Sequence, residues 1–387
     1  MKNYTIINVE KHYSNRKFDK YLILTLLLIL FHVIGNIIWI YLNKVPPTWD
    51  QSLHVVYSIK ILDYLKENLF SFNLVDFLRI SRYYPPFVYF IGAIFTLVGN
   101  YSYRVVLLSG SLFFALSIIF LYLYTDILFK NKRIAFFSAF FFSFFLEIFE
   151  QSRYQMLDLP LTALILAGLF FLEKSENFLN RKNSFIFFIL LGLSLLTKWY
   201  SLLFFFIPLL LVLVSFIKKK PDKNIIFNIL IGTCFLLIFV LPWYLINFDF
   251  LSKMGIVTIT PEKADPSSFL SAQNLFFYLK LIIMFQLSFI GSIFLIFSGY
   301  WFLKYKEKNI KMLIFLTILF NYVFFTFVGN KNIRVLFSIM PFLAMIMAYG
   351  INFLLDKKRN IFIALFIFFW YIFSYFILSF GVPIYPR

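Results

Sequence analysis

Asn43-Lys44-Val45-Pro46-Pro47-Thr48-Trp49-Asp50-Gln51-Ser52-Leu53-His54 divides two kinds of chain. Before it, Tyr21 to Leu42 runs without one Asp, Glu, Lys or Arg. That run is long enough to cross a bilayer as a helix, for which about 20 apolar residues suffice. It is too long for a signal-peptide core, and no small-residue cleavage site follows. After it, Asp50 to Phe70 carries apolar residues at 53, 56, 57, 61, 64, 65 and 69 and polar ones at 51, 54, 58, 60 and 67. That spacing predicts an amphipathic helix suited to the outer membrane surface. Pro46-Pro47 ends the first span.

The composition extends the membrane reading to all 387 residues: 61% are hydrophobic, 14% are charged and the mean hydropathy is +0.85. Soluble domains run at roughly 45–50% and about 25%. This excludes a cytosolic enzyme, a secreted disulfide scaffold and a barrel of short alternating strands. The sole cysteine, Cys234, sits inside an apolar run, so it has no partner for an internal disulfide. Further apolar runs at about 105–128, 134–149, 157–172, 184–197, 199–217, 225–245, 276–303, 312–328, 335–355 and 361–380 give an all-α polytopic protein of about eleven transmembrane helices.

Charge sets the expected orientation. The net charge is +18, and with the N-terminus inside, more than half of the 36 basic residues fall in the short cytoplasmic pieces. Lys218-Lys219-Lys220 and Lys357-Lys358-Arg359 are examples. The positive-inside rule therefore predicts N-in, C-out. No basic stripe interleaved with aromatics lies on a soluble face, so no nucleic acid is expected. Counting Pro86 to Gly99 as a span would turn the basic clusters outward, so it reads as a juxtamembrane helix. The chain becomes a single transmembrane domain, 1–387, with a cytoplasmic tail at 1–20, a long external loop at 44–104 and a second at 246–275.

The external ends collect the polar chemistry. Asp50 and His54 stand four apart on one side of the surface helix, although Asp is also a favoured helix cap. Glu147-Ile-Phe-Glu150-Gln-Ser-Arg153-Tyr-Gln-Met-Leu-Asp158-Leu-Pro160 crowds ionisable groups into one turn. In the plainer reading Asp158 caps the next span, with Pro160 in its first turn, and Arg153 pairs with a neighbouring acid. Arg104, Lys198 and the neighbours Lys331 and Arg334 come from three external span ends, against the positive-inside trend. Any of them alone would snorkel to headgroups; together they point to an anionic ligand, and phosphate fits.

Trp49-Asp50, Tyr83-Tyr84-Pro85-Pro86-Phe87-Val88-Tyr89, Arg104, Ser152-Arg153 to Pro160, Thr197-Lys198 and Lys331 to Arg334 occur in an order that resembles the GT-C glycosyltransferases. The nearest branch holds the dolichyl-phosphate-mannose–protein mannosyltransferases and the bacterial lipid A aminoarabinose transferases. The resemblance spans about residues 20–355. It implies a dolichyl- or undecaprenyl-phosphate sugar donor held in the cell membrane, and an acceptor hydroxyl on protein, lipid or glycan at the external face. It assigns the catalytic base to Asp50. Where many members carry Asp-Glu, this chain has Asp50-Gln51, leaving Glu150 or Asp158 as candidates for a second acid.

The chemistry so implied is one displacement at the anomeric carbon. The leaving phosphate is already a stable anion, so the step needs a base and cations rather than a general acid. His54, Tyr84, Arg104, Arg153, Asp158, Lys198, Lys331 and Arg334 are the substrate-binding candidates. Asp50 and Asp158 would suit a divalent metal, but no ligand-spacing motif calls for one, and no cofactor is expected. The competing class is a transporter, flippase or polymerase of lipid-linked glycans, whose charges would lie near the bilayer midplane.

Overall fold

The computed structural model describes residues 19–259, 270–329, 331–356 and 360–381, without the side chains of 254–259. Residues 1–18 of the expected cytoplasmic tail, part of the second external loop and Lys357-Lys358-Arg359 lie outside these. The described chain is helical throughout, with no strand. α1 (Lys20–Leu42) starts where the Asp19 carboxylate accepts the amides of Tyr21 and Leu22, both at 3.2 Å. The expected surface segment follows as α2 (Trp49–Glu67), α3 (Leu74–Arg79) and α4 (Phe87–Val98).

The bundle continues with α5 (Tyr103–Phe129), α6 (Lys132–Phe144), α7 (Leu146–Gln151), α8 (Asp158–Lys174) and α9 (Arg181–Leu195). Next come α10 (Leu202–Lys218), α11 (Lys223–Ile246), α12 (Phe248–Ile259) and α13 (Ala272–Leu275). α14 (Phe277–Leu281) passes through a π-helical turn, Ile282–Leu287, into α15 (Ser288–Leu303). α16 (Lys308–Thr326), α17 (Met340–Asp356) and α18 (Ile361–Phe376) complete the order.

Eight described helices are long and apolar enough to cross a membrane, which makes this a multi-pass integral membrane protein. The other three expected runs form shorter helices: α6 has 13 residues, α8 17 and α9 15. The run at 134–149 divides because Phe145 takes an extended conformation between α6 and α7. α8 is buried along almost its whole length, packed against α5 and α9. A helix apolar on every side suits such a core as well as it suits lipid.

α2 departs from its sequence reading. Its buried residues are His54, Val55, Ser58, Ile61 and Leu62, while Leu53 and Val56 of the expected apolar face are exposed. The reason is α4, which packs on α2 and selects the face it covers. At the opposite end of the bundle, Lys132 Nζ lies 2.8 Å from the Asp19 carboxylate, and Arg133 pairs with Asp356.

Candidate active site

A cavity of about 680 Å³ opens where five segments meet. They are the C-terminal end of α1, the start of α2, α7 with the turn after it, the approach to α17, and the residues following α18. Asp50, Arg153 and Arg334 line it, with Glu147, Glu150 and Gln151. The size suits a small ligand, for which about 300–1,000 Å³ is usual.

Asp50 does not cap α2. Thr48 holds the cap position in extended conformation, and Asp50 falls in the first turn. Its carboxylate accepts a hydrogen bond from Arg334 Nη2 at 2.8 Å, and this holds the carboxyl below the usual range. Arg334 is itself placed by Asn332, whose side-chain oxygen accepts its backbone amide at 3.0 Å and its Nε at 3.1 Å. The side chains of Asp50 and Arg334 are 58% and 21% exposed, so this ion pair is open to the cavity. Trp49, beside Asp50, is 91% exposed at the rim and holds a left-handed φ of 50°. A bulky residue rarely takes that conformation.

Arg153 is 1% exposed yet carries no ion pair among the described residues. Its Nε donates to Asn36 Oδ1 at 3.3 Å, its Nη2 to Ser379 Oγ, and its guanidinium lies 5.1 Å from the Trp39 ring. Burial pulls its pKa down from the ordinary arginine value. Asn36 also donates to Ser111 Oγ at 3.0 Å and Ser152 Oγ at 2.8 Å, tying the Arg153 turn to α1 and α5. Gly110 makes that approach possible, because a Cβ there would strike the Tyr154 carbonyl oxygen.

A second polar group lies behind the cavity. Lys198 Nζ reaches Asp158 Oδ1 at 2.7 Å and the Tyr200 hydroxyl at 3.0 Å, and sits 5.5 Å from the Tyr84 ring. Both charged side chains are under 10% exposed. The Tyr89 hydroxyl lies 2.9 Å from His54 Nδ1, and burial lowers that imidazole to about 4, so it is neutral at neutral pH.

The nine expected site residues therefore separate into three sets. Asp50, Arg153 and Arg334 face the cavity. His54, Tyr84, Asp158 and Lys198 form the layer behind it and do not line it. Arg104 and Lys331 stand apart: Arg104 lies over its neighbour Tyr103, and Lys331 donates to the Phe325 and Thr326 carbonyls. Burial lowers Lys331 to about 8. The sequence reading missed Asn36, Asn332 and Ser379. Asn36 was detectable, since a lone amide in an apolar span is expensive and normally has a task. No three His, Cys, Asp or Glu side chains converge among the described residues.

A family model described as dolichyl-phosphate-mannose-protein mannosyltransferase matches residues 84–244. No curated protein matches the chain by sequence. Among solved structures, ArnT from Cupriavidus metallidurans bound to undecaprenyl phosphate aligns with a TM-score of 0.63 at 14% identity, covering 87% of this chain and 61% of that one. Its apo state gives 0.59 at 15% identity, covering 88% and 61%. The S. cerevisiae protein O-mannosyltransferase Pmt1-Pmt2 complex bound to the sugar donor gives 0.43 at 20% identity, covering 65% and 37%. This chain thus spans about three fifths of the length of ArnT, and the fold is ArnT-like. The GT-C resemblance read from the sequence holds at the level of fold.

Proposed function

We propose that this protein is a membrane glycosyltransferase that moves a sugar from a polyprenyl-phosphate carrier to an acceptor hydroxyl at the external face. The observation that carries this reading is the cavity itself. It sets a carboxylate, Asp50, among two guanidiniums, Arg153 and Arg334, at the bundle end opposite the Asp19–Lys132 pair. The undecaprenyl phosphate named with ArnT supports a polyprenyl carrier here.

In the proposed reaction the carrier phosphate lies against Arg153 and Arg334, which stabilise the charge it gains as it leaves. Asp50 is the acceptor-activating carboxylate: it hydrogen-bonds the attacking hydroxyl and aligns it on the anomeric carbon. His54, Tyr84, Asp158 and Lys198 hold the floor of the site, acting on substrate through its shape and potential. The step is proposed without a metal, since Asp158, the second carboxylate that would have to hold one with Asp50, is sealed against Lys198.

The test is mass spectrometry of lipids co-purified with the wild type and with Asp50→Asn. The expected result is bare carrier phosphate in the wild type and sugar-loaded carrier enriched in the variant. A diphosphate-linked oligosaccharide present equally in both would overturn the reading.

A further inference from the structure

We propose that Glu150 is a second catalytic carboxylate, touching the acceptor hydroxyl in the cavity and receiving its proton. The inference rests on the transferase reading above and goes beyond it by naming where the proton goes. As the acceptor oxygen bonds to the anomeric carbon, the bond from that carbon to the phosphate oxygen breaks and its electron pair leaves with the phosphate. The hydroxyl proton passes to a Glu150 oxygen and then to water through the cavity mouth.

The other acids at this end of the bundle are already engaged. Asp158 is sealed against Lys198 and does not line the cavity. Asp50 faces the cavity, but its ion pair with Arg334 makes it a weak proton acceptor. Glu147 accepts a hydrogen bond from Gln151 Nε2 at 3.3 Å. Glu150 lines the same cavity and is half-buried, and among the described residues no donor or cation is bonded to its carboxylate.

The groups facing Glu150 explain why it suits proton transfer. Glu147, on the same short helix, opposes its ionisation, while Arg153 from the following turn favours it. Asp50 and Arg334 are the other charges on the cavity wall, and the Ile282–Leu287 turn packed on α7 has no titratable side chain. Burial dominates and pushes Glu150 up to about 7. A base whose pKa lies near the working pH is the efficient one.

Two readouts test this on the purified full-length protein. Mass spectrometry of the co-purified lipid compares wild type, Glu150→Gln, Glu150→Asp and Asp50→Asn. Infrared difference spectroscopy follows protonated-carboxyl absorption across pH. Glu150→Gln is expected to retain sugar-loaded carrier, while Glu150→Asp, a shorter base, returns towards bare carrier. Burial pushes Glu173 up to about 7 as well, so the spectra are taken in a Glu173→Gln background. There a carboxyl band titrating near pH 7 is expected with and without Asp50→Asn, and is absent once Glu150→Gln is added. Bare carrier in Glu150→Gln alongside loaded carrier in Asp50→Asn overturns the role of Glu150 and leaves the transferase reading standing. Persistence of the band in that background once Glu150→Gln is added overturns the role too. No polyprenyl lipid in any protein removes the transferase reading and this proposal with it.

Discussion

Two ion pairs built from the same chemistry sit at one end of this bundle and differ in almost everything else. Asp50–Arg334 spans 2.8 Å at the cavity wall, half open to solvent; Lys198–Asp158 spans 2.7 Å behind it, sealed among Tyr84, Tyr200 and α8. Distance does not separate them; water does. A carboxylate exposed to a cavity can exchange its partner for a substrate at little cost to the fold. A sealed carboxylate cannot lose its partner without leaving a bare charge in an apolar interior. The open pair is therefore the candidate for chemistry and the closed pair the brace that holds the cavity floor.

The strongest way to break this comparison is to remove one member of the sealed pair. Lys198→Met leaves Asp158 buried and unpaired, and is expected to destabilise the protein by about 3–5 kcal/mol. Thermal unfolding in detergent measures this. Adding Asp158→Leu should recover much of the loss, since an apolar pair of similar volume suits the site. A Lys198→Met protein that melts like the wild type would show that the pair is not sealed.

The same layer should make the fold sensitive to acid. His54 falls from the ordinary 6.5 to about 4 because the folded protein excludes its charged form. Between those values the unfolded chain binds more protons than the folded one, so stability rises with pH there and is lost as pH falls from 6.5 to 4. The shift corresponds to a loss on the order of 3 kcal/mol. His54→Gln keeps a hydrogen-bonding group for Tyr89 and cannot titrate, so its melting temperature should vary less over that window. Equal slopes in both proteins would place His54 in water, on the open side.

Much of this division was beyond the sequence, for a physical reason. Hydropathy separates water from everything else, and in a membrane protein both the lipid-facing and the core-facing sides of a helix are apolar. Eight of the eleven expected runs were therefore legible as helices long and apolar enough to cross a membrane among the described residues. The buried face of α2 was not, because Leu53 and Val56 are as apolar as Val55 and Ile61, yet only the latter two meet neighbouring helices. The partners of Arg153 were hidden likewise: Asn36 and Ser379 stand more than one hundred positions away and meet it only through packing of α1 and the residues following α18.

That packing gives a sharper probe between the two layers. Gly110→Ala would push a methyl group against the Tyr154 carbonyl, and Ser152 O lies 3.1 Å from the same point. Backbone yields less readily than the end of a side chain, so a cost of about 1–3 kcal/mol is expected. The shifted turn carries Arg153 with it, so carrier lipid should also be lost from the purified protein. Loss of stability with full lipid retention would separate Arg153 from the phosphate.

The smallest expected effect on stability belongs to Asp50, and it is the most informative. Its folded pKa is held down, so the pair with Arg334 contributes stability above the ordinary carboxylate range and loses it as pH falls through the lowered value. Because the Asp50 side chain is 58% exposed, solvent screens that contribution to below about 1 kcal/mol. Asp50→Asn should thus melt within a degree or two of the wild type, by roughly the usual conversion of free energy to melting temperature, and still arrest sugar transfer. An arrest without destabilisation assigns Asp50 to the reaction. A large drop in melting temperature would instead make the open pair a second brace, and the distinction between the two ion pairs would collapse.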